Sequence, residues 1–225
     1  MTTQKITAPD GHKFSLYCAM PEVAPRGAII VLQEIFGVNS HIRSVCDRLA
    51  QLGYVAAAPA LFDRIERDYD TGYSPEEIQA GLAIMKAFDM RAAEADLRAT
   101  IDVLMAHGPV SIMGFCLGGS LAYRMATIDD RVASAACYYG GLIEGFADQA
   151  PLCPVVLHYG AQDKSISAQN VATVRAKQPD LPIYVYPAGH GFNCDSRGAF
   201  DPSAAAIAWA RSLRMIDQTS IRPAG

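Results

Sequence analysis

A six-residue turn, Gly114-Phe115-Cys116-Leu117-Gly118-Gly119, constrains the fold of this chain more than any other part of its sequence. It follows an apolar run at residues 109–113 that has the pattern of a buried strand, and it precedes residues 120–126, whose spacing predicts a helix. A strand, a glycine-flanked turn with one reactive side chain at its apex, and a helix form the pattern of a nucleophile elbow. The apex residue is usually Ser, and here it is Cys116.

The rest of the chain alternates strand patterns with helical patterns. Asp10-Gly11 lies between two extended segments, 5–8 and 13–19, and predicts an N-terminal hairpin. Ser74-Pro75-Glu76-Glu77 combines a cap, a proline in the first turn and acids at the positive end of the helix dipole, which predicts a helix start. The further predicted strands are 27–32, 54–58, 109–114, 132–138, 154–158 and 182–186, and the further predicted helices are 39–52, 91–105, 168–177 and 202–212.

This alternation predicts the α/β class, with a mostly parallel central sheet that carries helices on both faces. Sheets of this kind place their ligands beyond the carboxyl ends of the strands. Cys116 lies at such an end, as do the loops that follow Leu32, Ala58, Tyr138, Tyr159 and Pro187. A functional site is therefore expected at this edge of the sheet.

Composition limits the domain count and the class of partner. The 225 residues are 51% hydrophobic, and no linker, charge run or repeat divides them, so the sequence predicts one domain over residues 1–225. The formal net charge of −4 argues against nucleic acid or an anionic membrane as a partner. The first residues lack a signal-peptide pattern, and no apolar stretch has the length of a membrane span, so we expect a cytoplasmic protein.

The chain has six cysteines, which we expect to be free thiols in a reducing compartment. None belongs to a CxxC pair, so the sequence predicts no metal site. A buried cysteine is usually an inert, small apolar side chain, and this is the expectation for positions 18, 46, 137 and 153. Cys116 differs from these because glycines frame it.

Two further loops supply partners for a cysteine nucleophile. His190 lies between glycines just beyond the last predicted strand and is the candidate base, and Asp163 follows the preceding strand and is the candidate orienting acid. Each has an ordinary alternative, since a Gly-His-Gly segment is often a structural loop and an Asp after a strand is often a helix cap. The chain order of nucleophile, acid and histidine, behind an elbow, favours a catalytic triad.

An oxyanion hole needs two backbone donors near the nucleophile. The N–H group of Leu117, the residue after the cysteine, is the first candidate. The second donor usually comes from a loop after an early strand, and the segment Gln33-Glu34-Ile35-Phe36-Gly37 offers the Ile35 N–H group. The alternative is that this segment is only a connecting loop.

These residues together resemble the dienelactone hydrolase family, whose members are carboxymethylenebutenolidase-like α/β-hydrolases. The resemblance extends from about residue 23 to the C-terminal helix, and the combination of motifs is specific where each alone is not. The matching segments are the elbow, Gln33–Gly37, Pro59-Ala60-Leu61-Phe62, Ala87-Phe88-Asp89-Met90, Tyr138-Tyr139-Gly140, Asp163 and Ala188-Gly189-His190.

The resemblance implies an α/β-hydrolase fold and the hydrolysis of dienelactone (4-carboxymethylenebut-2-en-4-olide) to maleylacetate, in the bacterial breakdown of aromatic compounds. It implies a triad of Cys116, His190 and Asp163 that works through a thioester, with no metal and no organic cofactor. It further implies that Glu34 interacts with the cysteine and helps to generate the thiolate. A carboxylate beside a thiol can accept its proton, which agrees with this role.

The part of the pocket that would hold the substrate carboxylate matches less well. The resemblance implies two arginines, and an ungapped match puts Ile78 and Cys194 at those positions. Arg64, Arg67 and Arg197 are candidate substitutes because arginine can bind a carboxylate through two hydrogen bonds. A solvated surface position is the alternative for all three.

Two aromatic residues complete the candidate substrate site. Tyr138 matches a pocket tyrosine of the family, and Phe36 is a candidate wall of the cavity. Ordinary core packing is the alternative for both. The expected partner is a small, anionic lactone or ester, with neither nucleic acid nor membrane, and a monomer is among the oligomeric states that the sequence leaves open.

Two other functions stay open at this point. One is a general carboxylesterase of the same fold that does not act on dienelactone. The other, more distant, is a non-catalytic α/β binding protein or a thiol redox sensor, in which the elbow glycines serve only tight packing. The sequence does not match a dinucleotide or P-loop motif, so a phosphate-cradling loop is not favoured.

Overall fold

The computed structural model describes residues 2–220, and the chain forms two compact units, Met1–Val110 and Ser111–Gly225. Both units alternate strands with helices, as the sequence patterns predict. The expectation of one domain over residues 1–225 stays a prediction. No helix within residues 2–220 has the length and apolar character needed to cross a bilayer.

The first unit holds four strands in the order β1-β2-β4-β3. β1 pairs antiparallel with β2, which confirms the N-terminal hairpin, and β2 also pairs antiparallel with β4. β3 and β4 are parallel and buried at every residue. The elements are β1 (Thr2–Thr7), β2 (Lys13–Ala19), β3 (Ala28–Leu32), α1 (Ser40–Gln51), β4 (Val55–Pro59), α2 (Pro75–Met85) and α3 (Met90–Leu104).

Side-chain caps begin the helices of this unit. The Asn39 side chain accepts a hydrogen bond from the backbone N–H of Ile42 and begins α1. Ser74 and Glu77 form a reciprocal capping box at the start of α2, where Pro75 is the first helical residue. Each cap satisfies N–H groups that have no partner within the helix, which explains why these boundaries could be predicted from the sequence.

The second unit holds four strands in the order β5-β6-β7-β8. β6 pairs parallel with β7, and β7 pairs parallel with β8. β5 and β7 are buried at every residue, as expected of strands covered on both faces. The elements are β5 (Val110–Phe115), α4 (Leu117–Ile128), β6 (Val132–Tyr138), α5 (Ile143–Phe146), β7 (Val155–Gly160), α6 (Ala168–Lys177), β8 (Ile183–Tyr186) and α7 (Pro202–Ser220).

Two of the differences between the structure and the sequence predictions concern helices. α7 extends to Ser220, beyond the predicted end at residue 212, because its buried face continues from Ala208 and Ser212 to Ile216. The short helix α5 and a 3-10 turn at Leu61–Arg64 were not predicted, since segments of four residues are too short to show a helical period.

Close backbone contacts explain the glycines of the elbow. A Cβ atom at Gly114 would lie 2.0 Å from the carbonyl oxygen of Gly118, and one at Gly119 would lie 2.4 Å from the carbonyl oxygen of Tyr138. Both distances are far inside van der Waals contact, and backbone atoms cannot move aside as a side chain can. Glycine therefore allows β5, the turn and α4 to pack at this distance.

We expect Gly114→Ala to lower the free energy of unfolding by about 1–3 kcal/mol, because its methyl group would overlap backbone atoms in a packed region. Gly145→Ala is the matched control, since a Cβ atom at Gly145 in α5 would meet nothing within 4 Å. Urea unfolding of both variants measures the difference. Equal stability of the two variants would contradict this account of the elbow.

Candidate active site

Cys116 occupies the apex of the turn between β5 and α4 in a strained conformation. Its backbone angles are φ 54° and ψ −111°, in a region that residues other than glycine rarely adopt. Two backbone hydrogen bonds hold it there: its N–H group donates to the carbonyl of Tyr138 at 3.0 Å, and its carbonyl accepts from the N–H group of Ser120 at 3.1 Å. The thiol is partly exposed.

The start of α4 provides a favourable environment for negative charge at this thiol. Cys116 is the N-cap of α4 and Leu117 is its first helical residue. The first N–H groups of a helix have no partner within the helix and carry the positive end of its dipole. Such a position leaves the Leu117 N–H group available to an oxyanion that forms beside the sulfur.

His190 and Asp163 are brought together by the loops that follow β8 and β7. Nδ1 of His190 lies 2.7 Å from Oδ2 of Asp163, whose carboxylate is fully buried. The other oxygen, Oδ1, accepts the backbone N–H groups of Ser165 at 2.7 Å and Ile166 at 3.0 Å. The acid is therefore held in place on both oxygens, and it orients the imidazole.

The second side-chain partner of His190 is Cys116, and the two partners together set its charge. Burial lowers the pKa of His190, but the hydrogen bonds and charges of Asp163 and Cys116 outweigh it and raise the pKa from 6.5 to about 10. Burial raises the pKa of Asp163, but His190 and the two backbone donors outweigh it, so the pKa lies below its usual 3.8. Near neutral pH this pair is an imidazolium and a carboxylate.

Tyr139 lies beside the candidate base, and sequence reasoning did not identify it as a residue of the site. Its ring centroid lies 5.0 Å from that of His190, and its backbone has a positive φ of 38°. Its N–H group donates to the carbonyl of His158 at 2.7 Å, which fixes this bend at the end of β6. A tyrosine followed by a glycine directly after a buried strand was the signal that could have identified it.

Tyr138, the tyrosine expected in the pocket, lies in the core. It is fully buried and packs against Phe115 and His158, with ring centroids at 4.8 and 4.7 Å. Its hydroxyl group lies 2.8 Å from Oγ of Ser212 on α7. Successive side chains of a strand point to opposite faces, and the contact with Ser212 shows that Tyr138 is on the face toward α7. The expected pocket role is corrected to a core role.

The loop after β3 in the first unit carries the remaining candidates. Glu34 and Phe36 are buried, Ile35 is partly exposed in a turn, and the Phe36 ring packs edge-on against Tyr73 at 4.7 Å. A Cβ atom at Gly81 of α2 would lie 2.6 Å from the Ile35 carbonyl oxygen, so α2 packs tightly on this loop. The roles expected for Glu34, Ile35 and Phe36 stay predictions.

Arg64 is engaged by carboxylates of its own chain. Its Nε and Nη2 atoms donate to the two oxygens of Asp96, at 2.8 and 2.7 Å, and its Nη1 lies 2.8 Å from Asp10. Asp96 is fully buried, so the ion pair compensates a charge removed from water. Arg64 is therefore a structural residue, and the expectation that it binds the substrate carboxylate is not retained.

Of the other arginines considered, Arg197 lies against the loop of the candidate base. A Cβ atom at Gly191 would lie 2.5 Å from Nη1 of Arg197. Arg67 donates to the backbone carbonyl of Lys13 at 3.1 Å. Cys194, at one of the two positions where the resemblance implies an arginine, is buried.

Comparisons with known proteins agree with this fold. Residues 14–220 match the model of the dienelactone hydrolase family. The chain is 34% identical to a candidate carboxymethylenebutenolidase of Synechocystis, over 98% of each chain, and 34% identical to the carboxymethylenebutenolidase of Pseudomonas putida, over 92% of each. It resembles the crystal structure of a candidate dienelactone hydrolase from Klebsiella pneumoniae with a TM-score of 0.85 and 30% identity, covering 96% of this chain and 98% of that one.

These matches confirm the α/β-hydrolase fold that the sequence predicted. They also identify the protein as an enzyme, a hydrolase that acts on esters or lactones. The family match covers both compact units, from β2 to the end of α7. The chain therefore belongs to the dienelactone hydrolase family.

Proposed function

We propose that this enzyme hydrolyses a small anionic lactone, with dienelactone (4-carboxymethylenebut-2-en-4-olide) as first candidate and maleylacetate as product, through a thioester at Cys116. One observation carries the proposal: a partly exposed cysteine at a helix N-terminus has as its partner a histidine that a buried aspartate orients. The relatives named carboxymethylenebutenolidase support the choice of lactone. Neither metal nor organic cofactor is needed for this chemistry.

In the first half of the reaction, Sγ of Cys116 attacks the lactone carbonyl carbon as a thiolate. Glu34 is proposed to accept the thiol proton when the substrate arrives. The N–H groups of Leu117 and Ile35 bind the oxyanion of the tetrahedral intermediate. The ring C–O bond then breaks, which leaves a thioester on sulfur and an enolate leaving group that takes up a proton from the His190 imidazolium.

In the second half, water cleaves the thioester. Two of the effects that raise the pKa of His190 come from Cys116, and they are lost once the sulfur is acylated. The imidazole, which gave its proton to the enolate, therefore stays neutral and can accept the proton of the attacking water, while Asp163 keeps its tautomer and orientation. The acyl–sulfur bond breaks, the open-chain acid leaves, and Glu34 returns its proton to the Cys116 sulfur.

For the substrate carboxylate we propose Arg197, which lies against the loop that carries His190. A guanidinium group can hold a carboxylate through two parallel hydrogen bonds.

A second candidate function, a carboxylesterase for neutral esters, is favoured by the residues Ile78 and Cys194, which stand where the family resemblance implies arginines.

We expect Cys116→Ala to lower the rate of hydrolysis of dienelactone and 4-nitrophenyl acetate by about a thousandfold or more, because no other group forms the thioester. Cys153→Ala is the matched control, since Cys153 is also a partly exposed free thiol. Steady-state kinetics of the three proteins measure the effect. Undiminished hydrolysis by Cys116→Ala would refute the mechanism, and dienelactone binding without turnover by the parent would favour a binding protein.

We expect Arg197→Gln to raise KM for dienelactone about tenfold or more while leaving kcat/KM for the neutral ester nearly unchanged, because only the anion loses an ion pair. Arg67→Gln is the control, since Arg67 makes its hydrogen bond to the backbone of β2. A parent that cleaves neutral esters but not dienelactone would favour the carboxylesterase. Equal losses on both substrates in Arg197→Gln would contradict a role in holding the carboxylate.

The raised pKa of His190 predicts a pH dependence of stability. The ionised His190–Asp163 pair stabilises the fold fully below pH 6.5, where the unfolded histidine is also protonated, and this gain is lost as the pH rises toward about 10. The difference in unfolding free energy between the parent and His190→Gln should therefore shrink over this range. Urea unfolding at several pH values measures it, and a difference that grows with pH would contradict the assignment.

A further inference from the structure

A row of buried polar side chains crosses the second unit, and none of them takes part in the chemistry proposed above. Nε2 and Nδ1 of His158 lie 3.0 Å from Oγ of Ser212 and 2.9 Å from Oη of Tyr186. Ser212 also meets Oη of Tyr138 at 2.8 Å, and Nη1 of Arg211 meets Oη of Tyr186 at 3.0 Å. Of these five residues, four are almost fully buried, which makes every unpaired group costly.

Arg211, at the end of this row, fixes which groups donate and which accept its hydrogen bonds. A guanidinium group can only donate, so the Tyr186 hydroxyl accepts from Arg211 and has its own proton to donate to Nδ1 of His158. Nδ1 is then an acceptor, so a neutral His158 carries its proton on Nε2 and donates it to Ser212. Burial and the charge of Arg211 lower the pKa of His158 to about 3, which agrees with a neutral ring.

The row connects three of the strands whose following loops form the candidate site. Tyr138 of β6 is in register with His158 of β7, which is in register with Tyr184 of β8, two residues before Tyr186. The loops beyond these strands carry Tyr139, Asp163 and His190. Ser212 and Arg211 tie the same strands to α7. A shift of one strand along its axis would break a buried hydrogen bond.

We propose that His158 is a positioning residue, which, through hydrogen bonds in the order Arg211, Tyr186, His158 and Ser212, holds β7 and β8 so that Asp163 and His190 meet at hydrogen-bonding distance. The inference rests on the proposed function for its effect on turnover. The row lies on the face toward α7, and the reacting atoms lie beyond the carboxyl ends of the strands, so His158 acts through the two loops. Misplacing a catalytic group by about 1 Å can cost roughly a hundredfold in rate.

Tyr186→Phe tests the proposal, because it removes one hydroxyl group and keeps the packed ring. We expect kcat to fall roughly tenfold with KM changed by less than about twofold, since the positioned pair acts in the chemical steps. Tyr184→Phe is the matched control: its ring also stacks on His158, at 5.9 Å, but its hydroxyl group is not a member of the row. Ser212→Ala, at the other side of the ring, should reproduce the loss.

Nuclear magnetic resonance of the same proteins separates positioning from a general loss of stability. In the parent we expect the Nε2–H tautomer of His158 and a slowly exchanging low-field Nδ1–H proton of His190, and in Tyr186→Phe we expect that His190 signal to weaken or shift. The Tyr184→Phe spectrum should match the parent.

Three results would overturn the proposal: an Nδ1–H tautomer at His158 in the parent, an unchanged His190 signal in Tyr186→Phe, or a kcat for Tyr186→Phe equal to that of Tyr184→Phe. If Cys116→Ala instead retains the parent's hydrolysis, the proposed function fails, and the His158 tautomer and His190 proton decide the positioning role without any turnover measurement.

Discussion

The backbone conformation of Cys116 is the constraint on which the rest of this enzyme depends. A positive φ at an L-residue is strained, and it persists because neighbouring backbone groups hold it from both sides. α4 begins at the next residue, so Cys116 lies beside the first N–H groups of the helix, which have no partner within it. Gly114 and Gly119 are required for the same reason, because the turn brings backbone atoms within the space of a methyl group.

The electrostatics of the candidate site follow from this geometry. Burial alone would make His190 neutral, but its two hydrogen-bonding partners reverse that tendency. His190 above all, together with the backbone N–H groups of Ser165 and Ile166, keeps Asp163 ionised although its carboxylate is buried. Each charged group is thus stabilised by a partner that a different loop supplies. The catalytic properties of such a site depend on how accurately the strands before these loops are aligned.

Sequence reasoning predicted most of the fold because its signals are local. Caps such as Asn39 and Ser74, the glycines of the elbow and continuous apolar runs each specify the structure of nearby residues. The pairing of His190 with Asp163 was also predictable, since parallel strands bring their following loops to one edge. Charged side chains were less predictable, and Arg64 is the clearest example. Nothing near it in the sequence indicates that Asp96 of α3 will be buried beside it.

The sequence by itself therefore determined the α/β class, the elbow with its cysteine, and the chain order of cysteine, aspartate and histidine. Only the tertiary structure decided which tyrosine meets the histidine, which arginine is engaged in a buried ion pair, and how His158 connects three strands to α7. The physical reason is the range of the interactions. Backbone conformation and helix capping depend on residues a few positions apart, whereas buried hydrogen bonds and ion pairs form between side chains that only the packing of distant elements brings together.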